Sequence, residues 1–223
     1  MKKGIFVLVL GLSLYGCGSM SVRPLDKGFS KDVEMKHDKD LGRVYLAPGF
    51  NFKGYDILFI SDISTNAILP KKGINPDELA VFFKHALIEK LKETEVFPTV
   101  TDDVSVLSSK EGQSPKVLIL EGAISDLQPG NKALRAVAGL GAGAVKAQVE
   151  IECKDNSTKQ MLFKSSDRRA DPGGIGLGGI IAAEDSEKML MGTLETVAKA
   201  HGSFIKRIAS NGKIEEATED NSR

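Results

Sequence analysis

The chain has no tryptophan, and its 3 tyrosines and 10 phenylalanines are sparse for 223 residues. That leaves little material for an aromatic platform of the kind that stacks sugars or bases. Neither sign of charge is in excess, with 30 basic and 30 acidic residues. No basic stripe is present, so the electrostatic footprint of a nucleic-acid binder is missing and no nucleic-acid partner is expected. There are 2 cysteines and 3 histidines, and none is spaced as H-E-x-x-H or C-x-x-C. A nucleophile elbow G-x-S-x-G is absent too, so no metal, cofactor or catalytic constellation is expected from motif chemistry. Outside two glycine-rich stretches, long apolar runs are lacking as well, with one exception at the start.

That exception is Ile5–Leu14, ten residues preceded by Lys2 and Lys3. A resident span needs about 20 apolar residues to cross the bilayer, so this run has the length and flanks of a secretory signal. Leu14-Tyr15-Gly16-Cys17 closes it. A branched apolar residue at −3, a small one at −1 and a thiol at +1 look like the bacterial lipobox, although Tyr15 is bulkier than the residue usual at −2. The sequence therefore predicts cleavage before Cys17, lipidation of its sulfur, and attachment to a membrane through acyl chains. Two or more chains hold stably, at about 0.8 kcal/mol per buried methylene. Gly18 and Ser19 follow the cysteine instead of the Asp that favours the inner membrane. The expected address is the outer membrane, periplasmic face.

Removing residues 1–16 takes two lysines with it and leaves 28 basic against 30 acidic residues. Residues 17–42 are polar and aperiodic and read as the lipidated N-terminus with a flexible tether, of root-mean-square reach roughly 25–30 Å. Residues 43–211 read as one α/β domain, and 212–223 as a disordered acidic tail. With Cys17 consumed by lipid, Cys153 has no disulfide partner. It lies in a strictly alternating strand, with Val145, Ala147, Val149, Ile151 and Cys153 on one face and Lys146, Gln148, Glu150 and Glu152 on the other. A small buried hydrophobe is the expectation there, since burial raises a thiol's pKa and removes its nucleophilicity.

Strands are expected over 43–47, 56–63, 97–100 and 116–124. A further pair, running through Cys153 and over 159–165, turns at 155–158. Asn75-Pro76-Asp77-Glu78 reads as a helix start, followed by a stripe of Leu79, Phe82, Phe83, Ala86, Leu87 and Leu91. A second helix begins near Asp185, carries Leu190, Leu194, Val197, His201, Phe204, Ile205 and Ile208, and ends at Asn211-Gly212. His201 falls inside that apolar stripe, where a hydrogen-bonded core histidine is the default; His37 lies in the tether and His85 on a helix flank. The fold class is α/β, a mixed sheet of about six strands covered by two main helices in a single domain.

Two glycine-rich segments stand out. The first runs from Pro129 through Gly130, Arg135, Gly139, Gly141 and Gly143 to Val145. The second runs from Pro172 through Gly176 and Gly178 to Ala183. Neither makes a phosphate cradle. Gly139-x-Gly141-x-Gly143 leads into a strand and not a helix, and Glu184, Asp185 and Glu187 would repel an anion after the second. Two readings stay open. The glycines permit positive φ and close approach in loops over their own sheet, or the surfaces that carry no charge, from Ala136 to Val145 and from Gly173 to Ala183, contact a partner, another subunit or the bilayer. On the second reading Arg135 pairs with a partner's acid or a local one.

Gly130-Asn131-x-Ala133-Leu134-Arg135, Gly139-x-Gly141-Ala142-Gly143 and the alternating strand ending at Asp155 resemble a bacterial envelope family, domain of unknown function 4410. Asn156-Ser157-Thr158 departs from the Thr-Gly turn common there. The resemblance implies an envelope lipoprotein without known catalysis and supplies no active-site residues. The function expected is a non-enzymatic binding or assembly accessory. Alternatives are a subunit of an oligomeric secretion or transport assembly, with self-association, and an envelope hydrolase built on Asp62 and distant serines.

Overall fold

The computed structural model describes residues 33–69, 71–108, 115–131, 143–171 and 185–215. Seven strands form one mixed sheet: β1 (Lys36–His37), β2 (Arg43–Leu46), β3 (Ile57–Ser64), β4 (Thr99–Thr101), β5 (Val117–Gln128), β6 (Val145–Asp155) and β7 (Met161–Asp171). Their spatial order is β1-β2-β7-β6-β5-β3-β4. β3 runs parallel to both β4 and β5, and all other pairings are antiparallel. Two helices, α1 (Pro76–Lys92) and α2 (Ser186–Asn211), complete the domain.

Local chemistry accounts for the helix boundaries. Asn75 accepts from the backbone N–H groups of Asp77 and Glu78, Pro76 occupies the first turn, and two acids follow. This satisfies orphan donors and suits the positive end of the helix dipole. Asp185 caps α2 in the same way, and Gly212 ends it at φ 67°, its N–H bonding to Ile208 C=O. Only a residue tolerant of left-handed backbone closes a helix like this at no steric cost. The β6–β7 turn is organised by Asp155, whose Oδ1 accepts from Ser157 N–H, Thr158 N–H and the Thr158 hydroxyl. Its other oxygen accepts from the Tyr55 hydroxyl at 2.8 Å. Partial burial pushes the Asp155 carboxyl up, but these donors win and hold it below the ordinary carboxylate range.

Both helices cover one face of the sheet, α1 over β3, β4 and β5 and α2 over β6 and β7, and they pack against each other. That face carries Leu58, Leu118, Leu120, Val149, Ile151, Cys153 and Phe163, all buried. Four phenylalanines join its parts. Phe52 lies edge-on to Phe97 and Phe163, at 6.1 and 5.7 Å, and Phe163 stacks on Phe204 of α2 at 5.3 Å. Cys153 is fully buried there, and burial drives its thiol upward, away from any thiolate role.

One feature differs from the sequence expectation. The sheet reaches into the segment read as tether: Lys36 and His37 pair with Val44 and Arg43, and Leu41 is fully buried. A two-residue strand leaves no periodic trace, which is why it escapes a pattern reading. The polar side of β6 is closed off as well. Gln148, Glu150 and Glu152 are buried to 2%, 1% and 3% exposure, and Lys164 of β7 to 0%. Buried ions survive only when paired, and here Lys164 meets Glu152 at 3.1 Å. Lys154 links Glu121 at 2.6 Å with Glu152 at 3.5 Å, and Arg168 meets Asp126 at 3.4 Å.

Candidate functional site

The strands around the glycine-rich segments converge at one end of the sheet. Gln128, the last residue of β5, pairs with Lys146, and Val145, the first of β6, pairs with Asp171, the last of β7. The first segment therefore leaves and re-enters through neighbouring strands, and the second departs beside them. Gly130 and Gly143 have φ of 69° and 77°, and the Asn131 N–H donates to Gly143 C=O at 3.0 Å. Both positions need left-handed backbone that side chains resist, and the bond ties the mouth of the connection. Of the residues singled out in the sequence, Gly130 and Gly143 are thus brought together. Cys17, Arg135, Gly139, Gly141, Gly176 and Gly178 lie outside the described residues.

The helix N-termini belong to the same end. Asn75 N–H donates to Glu187 Oε1 at 3.4 Å, and Lys71 Nζ bonds Leu127 C=O. Asp77, Glu78, Asp185 and Glu187 load this region with carboxylates. Such a surface repels an anion instead of cradling one. Among the described residues, no group of three or more His, Cys, Asp and Glu is placed to hold a metal ion, and no helix is long and apolar enough to cross a membrane.

One hydroxyl–imidazole pair went unread in the sequence. Ser165 Oγ lies 2.8 Å from His201 Nε2, and His201 Nδ1 lies 2.9 Å from Val197 C=O. A carbonyl only accepts, so Nδ1 carries the proton, and the Ser165 hydroxyl donates to Nε2. That is the tautomer of a nucleophile and its base. Yet Ser165 and His201 are 0% and 1% exposed, and burial pulls the imidazole down to about 4. A base that resists protonation, with no approach for a substrate, serves as a cross-link between β7 and α2. Asp62, the acid of the hydrolase alternative, sits on β3, with β5 and β6 between it and β7. Its carboxylate is exposed and bonded to Lys84 at 2.8 Å. The flanking hydroxyls do structural work: Ser61 bonds Leu120 C=O and Thr65 bonds Asp77. The sequence signal for Ser165 was indirect, namely that a histidine within an apolar stripe must find a partner.

A second cluster joins the chain's early and late residues. Arg207 Nη2 meets both Asp38 oxygens at 2.7 and 2.8 Å, and its Nε meets Asp40 at 3.1 Å. The guanidinium also lies over the Phe204 ring at 5.2 Å. Arg169 bonds Asp167 at 2.9 Å and also the Asp40 carbonyl. Nothing in the sequence pattern announces these pairs. A shallow cleft of about 530 Å³ lies beside β4, lined by Lys92, Glu95, Phe97, Pro98, Thr99 and Val100.

The family model described as Domain of unknown function (DUF4410) matches residues 66–198. No curated protein matches the chain. Among solved structures, the chain is similar to the PelC dodecamer from Paraburkholderia phytofirmans, at 15% identity and a TM-score of 0.41, covering 69% of this chain and 95% of that one. It is also similar to protein XCC0632 from Xanthomonas campestris, of family DUF330, at 10% identity and a TM-score of 0.45, covering 75% and 91%. At TM-scores below 0.5 neither likeness defines an activity for this chain.

Proposed function

From the premise that this chain belongs to the DUF4410 family, we propose that it is an exported lipoprotein, acylated at Cys17 and held at the periplasmic face of the outer membrane. There it acts as a non-enzymatic binding or assembly accessory. The observation that carries this reading is the convergence at one end of the sheet. The paired strand ends Gln128, Val145 and Asp171 place the points where both glycine-rich stretches begin at one end of the sheet, with Gly130 and Gly143 closing the base of the first. Sequence that carries no charge from Ala136 to Val145 and from Gly173 to Ala183 suits contact with a partner, a second copy or the bilayer. The burial of the Ser165–His201 pair supports the non-enzymatic side of the reading, because the nucleophile and base that stand together are out of reach.

Two measurements test it. Mass spectrometry of the purified mature form is expected to find a chain starting at Cys17 with acyl chains on its sulfur. An unmodified thiol, or a different start, refutes the anchor. Affinity capture of the full-length protein from membranes, repeated with Gly139→Glu and Gly141→Arg, is expected to lose its partners in the variant. An unchanged partner list on an intact fold removes the contact-face reading.

A further inference from the structure

We infer that residues 36–42 form a latch, closed by Arg207, that fixes the incoming N-terminal chain to the edge of the sheet. Strand pairing alone holds this segment weakly, since β1 contributes two exposed residues and pairs with β2 only. An isolated two-stranded contact is marginal in water. Leu41 is buried behind the segment and Arg169 bonds Asp40 C=O, and the turn between them is closed by charge. The Asp38 carboxylate, its side chain fully buried, first shapes the turn by accepting from Asp40 N–H at 2.9 Å and Leu41 N–H at 3.2 Å. Both of its oxygens then accept from a single nitrogen, Nη2, of Arg207, whose side chain is 11% exposed.

The same arginine bonds Lys213 C=O at 3.3 Å, so one guanidinium gathers the incoming turn and the outgoing chain. Lys39 completes the junction, its N–H on Glu215 C=O at 3.0 Å and its ammonium on the Glu215 carboxylate at 2.7 Å. Removing the guanidinium leaves the Asp38 carboxylate buried and uncompensated, so the order of the turn depends on Arg207 beyond what the burial of Leu41 and the Arg169 bond to Asp40 C=O supply.

Its consequence rests on the proposed anchor. With the latch closed, the chain from Cys17 to the first fixed residue, Lys36, spans at most about 70 Å. With it open as far as Arg43, the limit rises to about 95 Å. The latch thus sets how far the domain stands from its attachment point.

Hydrogen exchange on the full-length chain tests the latch without needing the lipid. In Arg207→Ala, the backbone amides of Asp40 and Leu41 are expected to exchange at least tenfold faster, while those of β5, β6 and β7 keep their protection. Arg207→Lys, which keeps the charge but not the fork, is expected to fall between, with protection that weakens as salt is added. Unchanged exchange over 36–42 in Arg207→Ala overturns the inference. So does an equal acceleration across β5–β7, which would make Arg207 a contributor to global stability only. Repeating the measurement on Cys17→Ser separates the two readings: the latch result stands there even if acylation at Cys17 is disproved.

Discussion

At the scale of single residues, the chemistry divides between a sulfur, an imidazole and two glycines. Cys153 is fully buried with its thiol pushed up by desolvation. Native protein is therefore expected to give no reaction with a thiol reagent. Unfolded mature protein is expected to give one equivalent if Cys17 is acylated, and two equivalents would refute the anchor. His201 carries a pH signature. Its folded value of about 4 lies below the ordinary 6.5, so between those values the unfolded chain binds more protons. Stability is then full above pH 6.5, and it falls as the pH drops through that window. From pH 7 to pH 5 the loss assignable to this group is about 2 kcal/mol. Asp167 works in the opposite sense, because burial raises its carboxyl despite the Arg169 guanidinium beside it. The readout is accordingly the difference in slope between wild type and His201→Gln in urea unfolding at both pH values. Equal slopes would show that the imidazole is not held neutral by the fold.

At the scale of elements, α2 offers an internal comparison. A Cβ built on Gly192 meets nothing within 4 Å, whereas one on Gly202 comes within 3.1 Å of the Lys90 carbonyl oxygen of α1. Alanine is favoured over glycine in a helix by about 1 kcal/mol, so Gly192→Ala is expected to raise stability by up to that amount. At Gly202 the same gain meets an overpacking cost of about 1–3 kcal/mol, because the obstacle is backbone and cannot rotate away. Gly202→Ala is expected to lose about 1 kcal/mol overall. Thermal unfolding of the two variants decides the matter, and equal gains at both sites would contradict the close helix–helix approach. The helices themselves were legible beforehand. Caps at Asn75 and Asp185, a stop at Gly212 and two apolar stripes fixed their limits, because each is a local rule written in adjacent residues. β1 was not legible, since two residues are too few to show a period.

At the scale of the whole molecule, the question is how many copies act together. The accessory reading expects the detergent-solubilised, full-length protein to run at the mass of one chain plus any captured partner. A monodisperse ring of many copies would instead favour a subunit of a secretion or transport assembly. Strand ends that gather at one end of the sheet are compatible with either contact, so particle mass, measured by light scattering with the detergent subtracted, is the deciding quantity.

The sequence by itself determined the α/β class, the two helices and the β6–β7 hairpin. It also placed Cys153 and His201 on buried faces. All of these rest on residues within a few positions of one another, where spacing converts directly into direction. Only the tertiary structure decided that Ser165 is the partner of His201, that Arg207 closes on Asp38 across 169 positions, and that the charged side of β6 is buried in ion pairs. Polar partners meet because a sheet order of β1-β2-β7-β6-β5-β3-β4 brings their strands together. A serine or an arginine bound for such a meeting looks, in the sequence, like any solvated residue of its kind.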